Sequence, residues 1–145
     1  MTVTGTNDAP ITTAVDVIGA ITEGSTLTDS GSITFTDVDT TDRPTASQSP
    51  VSISALKADG TTPLVLTAPQ QAAINAAFSV AAAGGNTNNG AINWSYAISE
   101  GDLDFLAVGE TVTAIFRITV SDSKGGSDSK DVTITLKGTN DAPVN

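Results

Sequence analysis

Cysteine and histidine are both absent from this 145-residue chain. Without cysteine there is neither a disulfide framework nor a thiolate metal site, so stability must come from a packed core or from bound ions. Without histidine the usual general base, the Ser-His nucleophile pair and the ordinary zinc ligands are lost together. Bases are scarce: six Lys and Arg stand against sixteen Asp and Glu, a net charge of −10. Such a surface repels nucleic acid and anionic lipid headgroups, which recruit Lys and Arg, and attracts cations. No apolar run reaches transmembrane length, and no charged-then-apolar signal segment follows Met1, so direct membrane insertion is not expected. Met1 reads as a start added to an excised piece, with the export signal of the full chain elsewhere. Only 15% of residues are charged while 39% are hydrophobic, enough for a two-layer core, so the acidity does not imply disorder.

What is present is a repeat. Gly5-Thr6-Asn7-Asp8-Ala9-Pro10 returns unchanged as Gly138-Thr139-Asn140-Asp141-Ala142-Pro143, 133 positions later. An identical linker at both ends marks one period of a tandem array. Residues 1–10 therefore read as the linker from a preceding repeat, 11–137 as one module, and 138–145 as the start of the next linker. The expected partners are adjacent repeats of the same chain, and an isolated repeat is expected to be monomeric.

Between the linkers, period-two alternation dominates. Ile92, Trp94, Tyr96 and Ile98 share one face; so do Val112, Ala114, Phe116, Ile118 and Val120, and again Val132, Ile134 and Leu136. Such stripes, rich in Val, Ile and Thr, are strands with one buried face. Weaker strands are expected near 11–20, 32–36, 51–56 and 63–67. About seven short strands with turn-rich gaps predict an all-β, antiparallel sandwich of immunoglobulin-like type. One stretch breaks the pattern: Pro69 to Phe78 spaces its alanines helically, with Ile74 and Phe78 four apart, and predicts a short inserted helix opening after Thr67 or Ala68. The following Gly84–Gly90 reads as a flexible surface loop with no phosphate cradle.

Simple up-and-down alternation sorts the acids. Asp37, Asp39, Asp42 and Asp122 follow the second and sixth predicted strands, at the end where Asn7 and Asp8 enter. Glu23, Glu100, Asp102 and Asp104 fall at the opposite end, where Asn140 and Asp141 leave. Two acidic poles result, each beside a linker. Carboxylates gathered closely repel unless protonated or neutralised by a cation. Calcium accepts about six to eight oxygens in a loose geometry, whereas magnesium demands a tighter one and keeps its water, so the expected cofactor is Ca2+. The loop after Asp37 is not an EF-hand, since Asp42 and Gln48 stand where that motif has Gly and Glu. Asp29, Asp59, Asp128 and Asp131 read as turn residues, and Asp16 as solvent-facing.

Taken in order, the linker hexapeptide, Ile33-Thr34-Phe35-Thr36-Asp37-Val38-Asp39, Trp94-Ser95-Tyr96, Leu103-Asp104-Phe105-Leu106-Ala107-Val108-Gly109-Glu110 and Val120-Ser121-Asp122-Ser123-Lys124-Gly125-Gly126 resemble the VCBS repeat. This is a cadherin-like module of large, RTX-type bacterial surface adhesins. The resemblance implies type I secretion, an extracellular place on the bacterial surface, and a role as an extender supporting attachment and biofilm formation. The linker is similar to the calcium-binding linker of cadherins, and Asp37, Asp39 and Glu23 resemble their Asp-x-Asp and Glu ligands. The match is weakest from Pro44 to Gly90.

Two other functions compete with the spacer. The module could itself grip a glycan or host surface through Trp94 and Tyr96, but these share the apolar parity of their strand. A glycosidase using Asp102 with Asp39 would need its carboxyls roughly 5–10 Å apart, and those two fall at opposite poles. Asp102 with Glu100 would suit the distance but lacks a cleft of aromatics. No regular Thr array suggests an ice-binding face. The expectation is a non-enzyme.

Overall fold

The computed structural model describes residues 8–25, 27–39 and 41–138. Among these residues the chain forms β1 (Ile11–Asp16), β2 (Ile18–Thr22), β3 (Thr28–Thr36), β4 (Thr45–Leu56), helix α1 (Ala68–Ala76), β5 (Phe78–Ala82), β6 (Gly90–Ala97), a single 3-10 turn at Glu100–Asp102, β7 (Thr111–Ser121) and β8 (Ser127–Lys137). Two four-stranded sheets result, ordered β1-β3-β6-β5 and β2-β8-β7-β4. All pairings are antiparallel except β2 with β8. This is the immunoglobulin arrangement, with the first strand broken at Val17 so that its halves join opposite sheets.

The strongest stripes are buried as expected, because each strand has one face on the core and one on solvent. Ile92, Trp94 and Tyr96 of β6, Val112 to Val120 of β7 and Val132 to Leu136 of β8 all turn inward at alternate positions. The aromatic rings fill the space between the sheets: Phe78 stacks on Phe116 with centroids 4.4 Å apart, and Trp94 and Tyr96 flank them. The two polar ring groups are both satisfied. Trp94 Nε1 donates to the Asp16 carbonyl (2.7 Å) and Tyr96 Oη to the Ile74 carbonyl (2.7 Å). Room for the indole comes from Gly31, where a Cβ would stand 2.6 Å from the Trp94 ring and 2.5 Å from the Asp16 carbonyl.

The inserted helix forms with Thr67 as its N-cap, Pro69 in its first turn and a reciprocal capping box between Thr67 and Gln70. The strand expected near 63–67 does not form; only an isolated bridge links Leu56 to Pro63. Its place is taken by β5, which follows the helix directly. Phe78 serves there as the inward anchor of a strand and not as the last apolar position of the helix. β4 is longer than expected and carries Pro50 at a register shift, where a missing N–H is tolerated.

Candidate metal centres at the two poles

At the end where the chain enters, Asp37, Asp42 and Asp122 are 2%, 2% and 3% exposed, and each brings an oxygen within 4.8 Å of the others. The loop after β3 is shaped for this. Asp39 N donates to Asp37 Oδ1 (2.9 Å) and Asp42 N donates to the Asp39 carbonyl (2.9 Å), which curls the chain until Asp42 faces Asp37. The backbone of Asp37 is gripped from the side: its N–H donates to Asn89 Oδ1 (3.1 Å), and Asn88 Nδ2 donates to its carbonyl (2.6 Å). The Gly84–Gly90 loop therefore acts as a clamp on the acidic loop, where the sequence suggested plain surface.

Asp122 comes from the β7–β8 turn. Its Oδ1 accepts from Lys124 N (2.8 Å) and Gly126 N (3.0 Å), with Ser123 and Gly125 at positive φ completing the turn. A Cβ on Gly126 would stand 2.7 Å from Asp122 Oδ2 and 2.8 Å from Ala9, so glycine lets the entering chain lie against the cluster. Asp8 N donates to Asp39 Oδ2 (2.9 Å), which ties that chain down and turns the Asp39 carboxylate toward it. Of the acids expected here, Asp37, Asp42 and Asp122 are gathered into one group, and Asp39 and Asp8 lie beside it. Asn7 lies outside the described residues.

Electrostatically the cluster is unfinished. Lys124 Nζ pairs with Asp42 Oδ1, yet Asp37 Oδ2 and Asp42 Oδ2 are buried without a hydrogen-bond partner. Burial, reinforced by the charges of Asp42 and Asp39, pushes the Asp37 carboxyl above its ordinary value. Asp42, chiefly through its hydrogen bond, and then Asp39 and Asp122 hold the Lys124 ammonium more firmly protonated. A buried carboxylate oxygen facing other carboxylates is costly unless a cation meets it. The donor set is all oxygen, which suits a hard ion such as calcium and not a thiolate- or imidazole-seeking metal.

The opposite pole gathers Glu23, Glu100 and Asp104 within the same 4.8 Å limit. Glu23, just beyond β2, is 1% exposed, and its N–H donates to the Lys137 carbonyl at the end of β8 (3.0 Å). Gly24 N donates to Glu100 Oε2 (3.2 Å), while buried Leu103 and Leu106 pin the loop that carries Asp104 on the rim. Asp102 does not join them. It lies exposed beside a hollow lined by Ala73 and Ser99, against α1. With about three residues per 3-10 turn, side chains two apart point in different directions, and Glu100 and Asp102 diverge for that reason. Gly138 N donates to the Glu110 carbonyl (3.0 Å), so the chain leaves alongside this cluster; Asn140 and Asp141 lie outside the described residues.

Among the acids read as turn residues, Asp59 is one: it accepts from Thr61 N (2.9 Å) and Thr62 N (2.8 Å), and with the Thr62 hydroxyl foremost these bonds hold its carboxyl down to about 2. Asp29, Asp128 and Asp131 lie within strands instead. Trp94 and Tyr96 are 1% and 0% exposed, so neither offers a platform for a sugar.

No family model matches the chain, and no curated protein matches it in sequence. Among solved structures it is similar to the ASH/PapD-like domain 7 of human CEP192, at a TM-score of 0.50 and 8% identity over 97% of this chain and 92% of that one. It is also similar to the N-terminal Ig1-2 module of the Drosophila receptor protein tyrosine phosphatase DLAR, at a TM-score of 0.47 and 14% identity over 94% of this chain and 53% of that one. A third likeness is to AggA, the major subunit of aggregative adherence fimbriae type I from Escherichia coli, at a TM-score of 0.38 and 15% identity over 94% and 98%. At such identities only the fold carries over. The chain is an all-β, immunoglobulin-like sandwich with one inserted helix.

Proposed function

We propose that this chain is a calcium-binding spacer module of a secreted, VCBS-type bacterial adhesin, stiffened at its poles and inter-repeat linkers, and that it takes no part in catalysis. The observation carrying this reading is the placement of the acids. Two carboxylate clusters occupy opposite ends of one sandwich, one where the chain enters and one where it leaves, and the first holds buried oxygens of Asp37 and Asp42 with no hydrogen-bond partner. A bound calcium ion would supply the positive charge and oxygen coordination that these groups lack. Asp37, Asp42 and Asp122 would hold it at the entry pole, with Asp39 and Asp8 reaching from the linker side. Glu23, Glu100 and Asp104 would do so at the exit pole.

The mechanical consequence follows from the linker. Asp8 is already bonded to Asp39 through its backbone, and Gly138 lies against the exit loop, so fixing either cluster fixes the chain that runs to the neighbouring module. The twofold hexapeptide supports a neighbour of the same kind at each end. The secreted location and the role in attachment rest on the sequence resemblance alone. A binding function of the module's own is less favoured, because the aromatics that would stack on a sugar are in the core.

The test is a chain of two such modules followed by small-angle scattering. In millimolar calcium the pair should be extended, and on chelation its maximum dimension should shorten and its profile broaden as the linker flexes. A profile unchanged by chelation would remove the stiffening role.

A further inference from the structure

We propose that Lys124 is a built-in counter-cation of the entry pole, which competes for Asp42 with a divalent ion and so sets the calcium concentration at which that pole loads. The inference rests on the calcium reading above and adds a residue of this chain that governs it. The ligand-seeking feature of the pole is independent of the lysine: Asp37 Oδ2 is buried and unpartnered, on a side chain that brings an oxygen within 4.8 Å of Asp42 and Asp122.

Lys124 is placed to reach that group from outside. Its backbone N–H is held on Asp122 Oδ1 (2.8 Å), while its side chain crosses from the β7–β8 turn to the loop after β3 and meets Asp42 Oδ1. The two partners differ sharply in exposure, with the Lys124 side chain 54% exposed and the Asp42 side chain 0%. The ammonium therefore caps a buried carboxylate from the solvent side on a flexible four-carbon stem, and it can swing away without opening the core. An ion that takes oxygens from all three carboxylates must share Asp42 with this ammonium or displace it. Both oppose entry, the first by repulsion between like charges and the second by loss of the ion pair. In calcium-poor solvent the same lysine partly neutralises the cluster and keeps the pole assembled.

The experiment uses the whole 145-residue chain as wild type, Lys124→Met and Lys124→Arg, titrated with calcium chloride. Backbone amide spectra separate the poles: Asp39 and Gly126 report on the entry pole, and Gly24 on the exit pole. Lys124→Met should move the entry-pole midpoint to about tenfold lower calcium, since a charged hydrogen bond at a half-exposed site is discounted by solvent. The Gly24 midpoint should stay put, and the variant should melt below wild type in chelator. Lys124→Arg, which keeps the charge, should load near the wild-type midpoint. An entry-pole midpoint unchanged or weakened in Lys124→Met would overturn the proposal while leaving calcium binding intact, as would an Arg variant that loads as readily as the Met variant. Calcium that moves neither set of signals in any of the three proteins would instead overturn the calcium reading, and the lysine's role with it.

Discussion

The sharpest consequence of an unfinished acidic pole is a substitution whose effect changes sign with calcium, and Asp37→Asn should show it. Asp37, Asp42 and Asp122 present oxygens within 4.8 Å of one another. At an effective dielectric of about 20, two unit charges at that spacing repel by about 3.5 kcal/mol. Asp37 faces two such partners, but Lys124 already pairs with Asp42, so neutralising Asp37 relieves about one net repulsion. Against this, the bond from Asp39 N to Asp37 Oδ1 weakens when its acceptor loses charge, by about 1 kcal/mol. Asp37 also has its carboxyl raised by burial, so part of the repulsion is already relieved by protonation in mildly acidic buffer.

The net expectation in chelator at neutral pH is a gain of about 1–2 kcal/mol, or a rise in melting temperature of about 3–6 °C for a domain of this size. In millimolar calcium the order should invert if Asp37 ligates the ion as proposed, because the variant gives up that charged ligand. Thermal denaturation by circular dichroism, run in chelator and in calcium, reads both signs in one pair of experiments. A variant that melts below wild type in chelator as well would refute the reasoning, since the Asp37 carboxylate would then be stabilising without any ion. The sign with pH follows the same logic. A folded-state value raised above the ordinary one is a destabilising contribution at neutral pH, relieved as pH falls through that raised value.

Asp128 should behave in the opposite way. Thr12 N (2.8 Å) and Thr12 Oγ1 (2.9 Å) both donate to its Oδ2 and hold its carboxyl below 3.8, so its contribution is complete above that ordinary value and lost as pH falls through the folded one. Asp128→Asn should cost about 1–2 kcal/mol at neutral pH and flatten the acid limb of the melting-temperature profile; an unchanged limb would count against the assignment. Gly31→Ala places a methyl against the Trp94 ring and the Asp16 carbonyl, and should cost about 1–3 kcal/mol with a shift in Trp94 fluorescence. A Gly31→Ala variant as stable as wild type would show that β3 yields there more readily than its packing suggests.

The pole assignment was legible from strand parity, and parity survives errors that alter strand positions. The fourth strand lies at 78–82 and not at 63–67, yet one strand still runs between β4 and β6, so the loop before β6 emerges at the same end. Breaking the first strand at Val17 leaves both halves running the same way. What parity cannot deliver is side-chain reach. Lys124 meets a carboxylate 82 positions away, and Asn88 and Asn89 clamp Asp37 from a loop whose composition resembles ordinary surface. Strand alternation puts Asp37 and this loop at one end, and that shared end is the one signal of their contact that the sequence carries.

The remaining acids yield a physical rule that charge counting misses. A strand that changes sheets midway leaves backbone donors aimed away from both ladders, and such donors need partners. Thr12 N in β1 is met by Asp128, Ile18 N by Asp16 Oδ1 (3.2 Å), and Ala20 N in β2 by Asp29 Oδ2 (3.0 Å). Asp128, Asp16 and Asp29 thus meet backbone donors along the two halves of the divided first strand. They differ from the entry-pole set in what is left over, since Asp37 and Asp42 each keep one buried oxygen without a hydrogen-bond partner and lie within 4.8 Å of other carboxylates. An acid that faces a donor is finished when the chain folds. An acid left with an unpartnered oxygen beside other acids would be finished by a cation, and if the chain is a spacer repeat such acids sit where it passes to its neighbours.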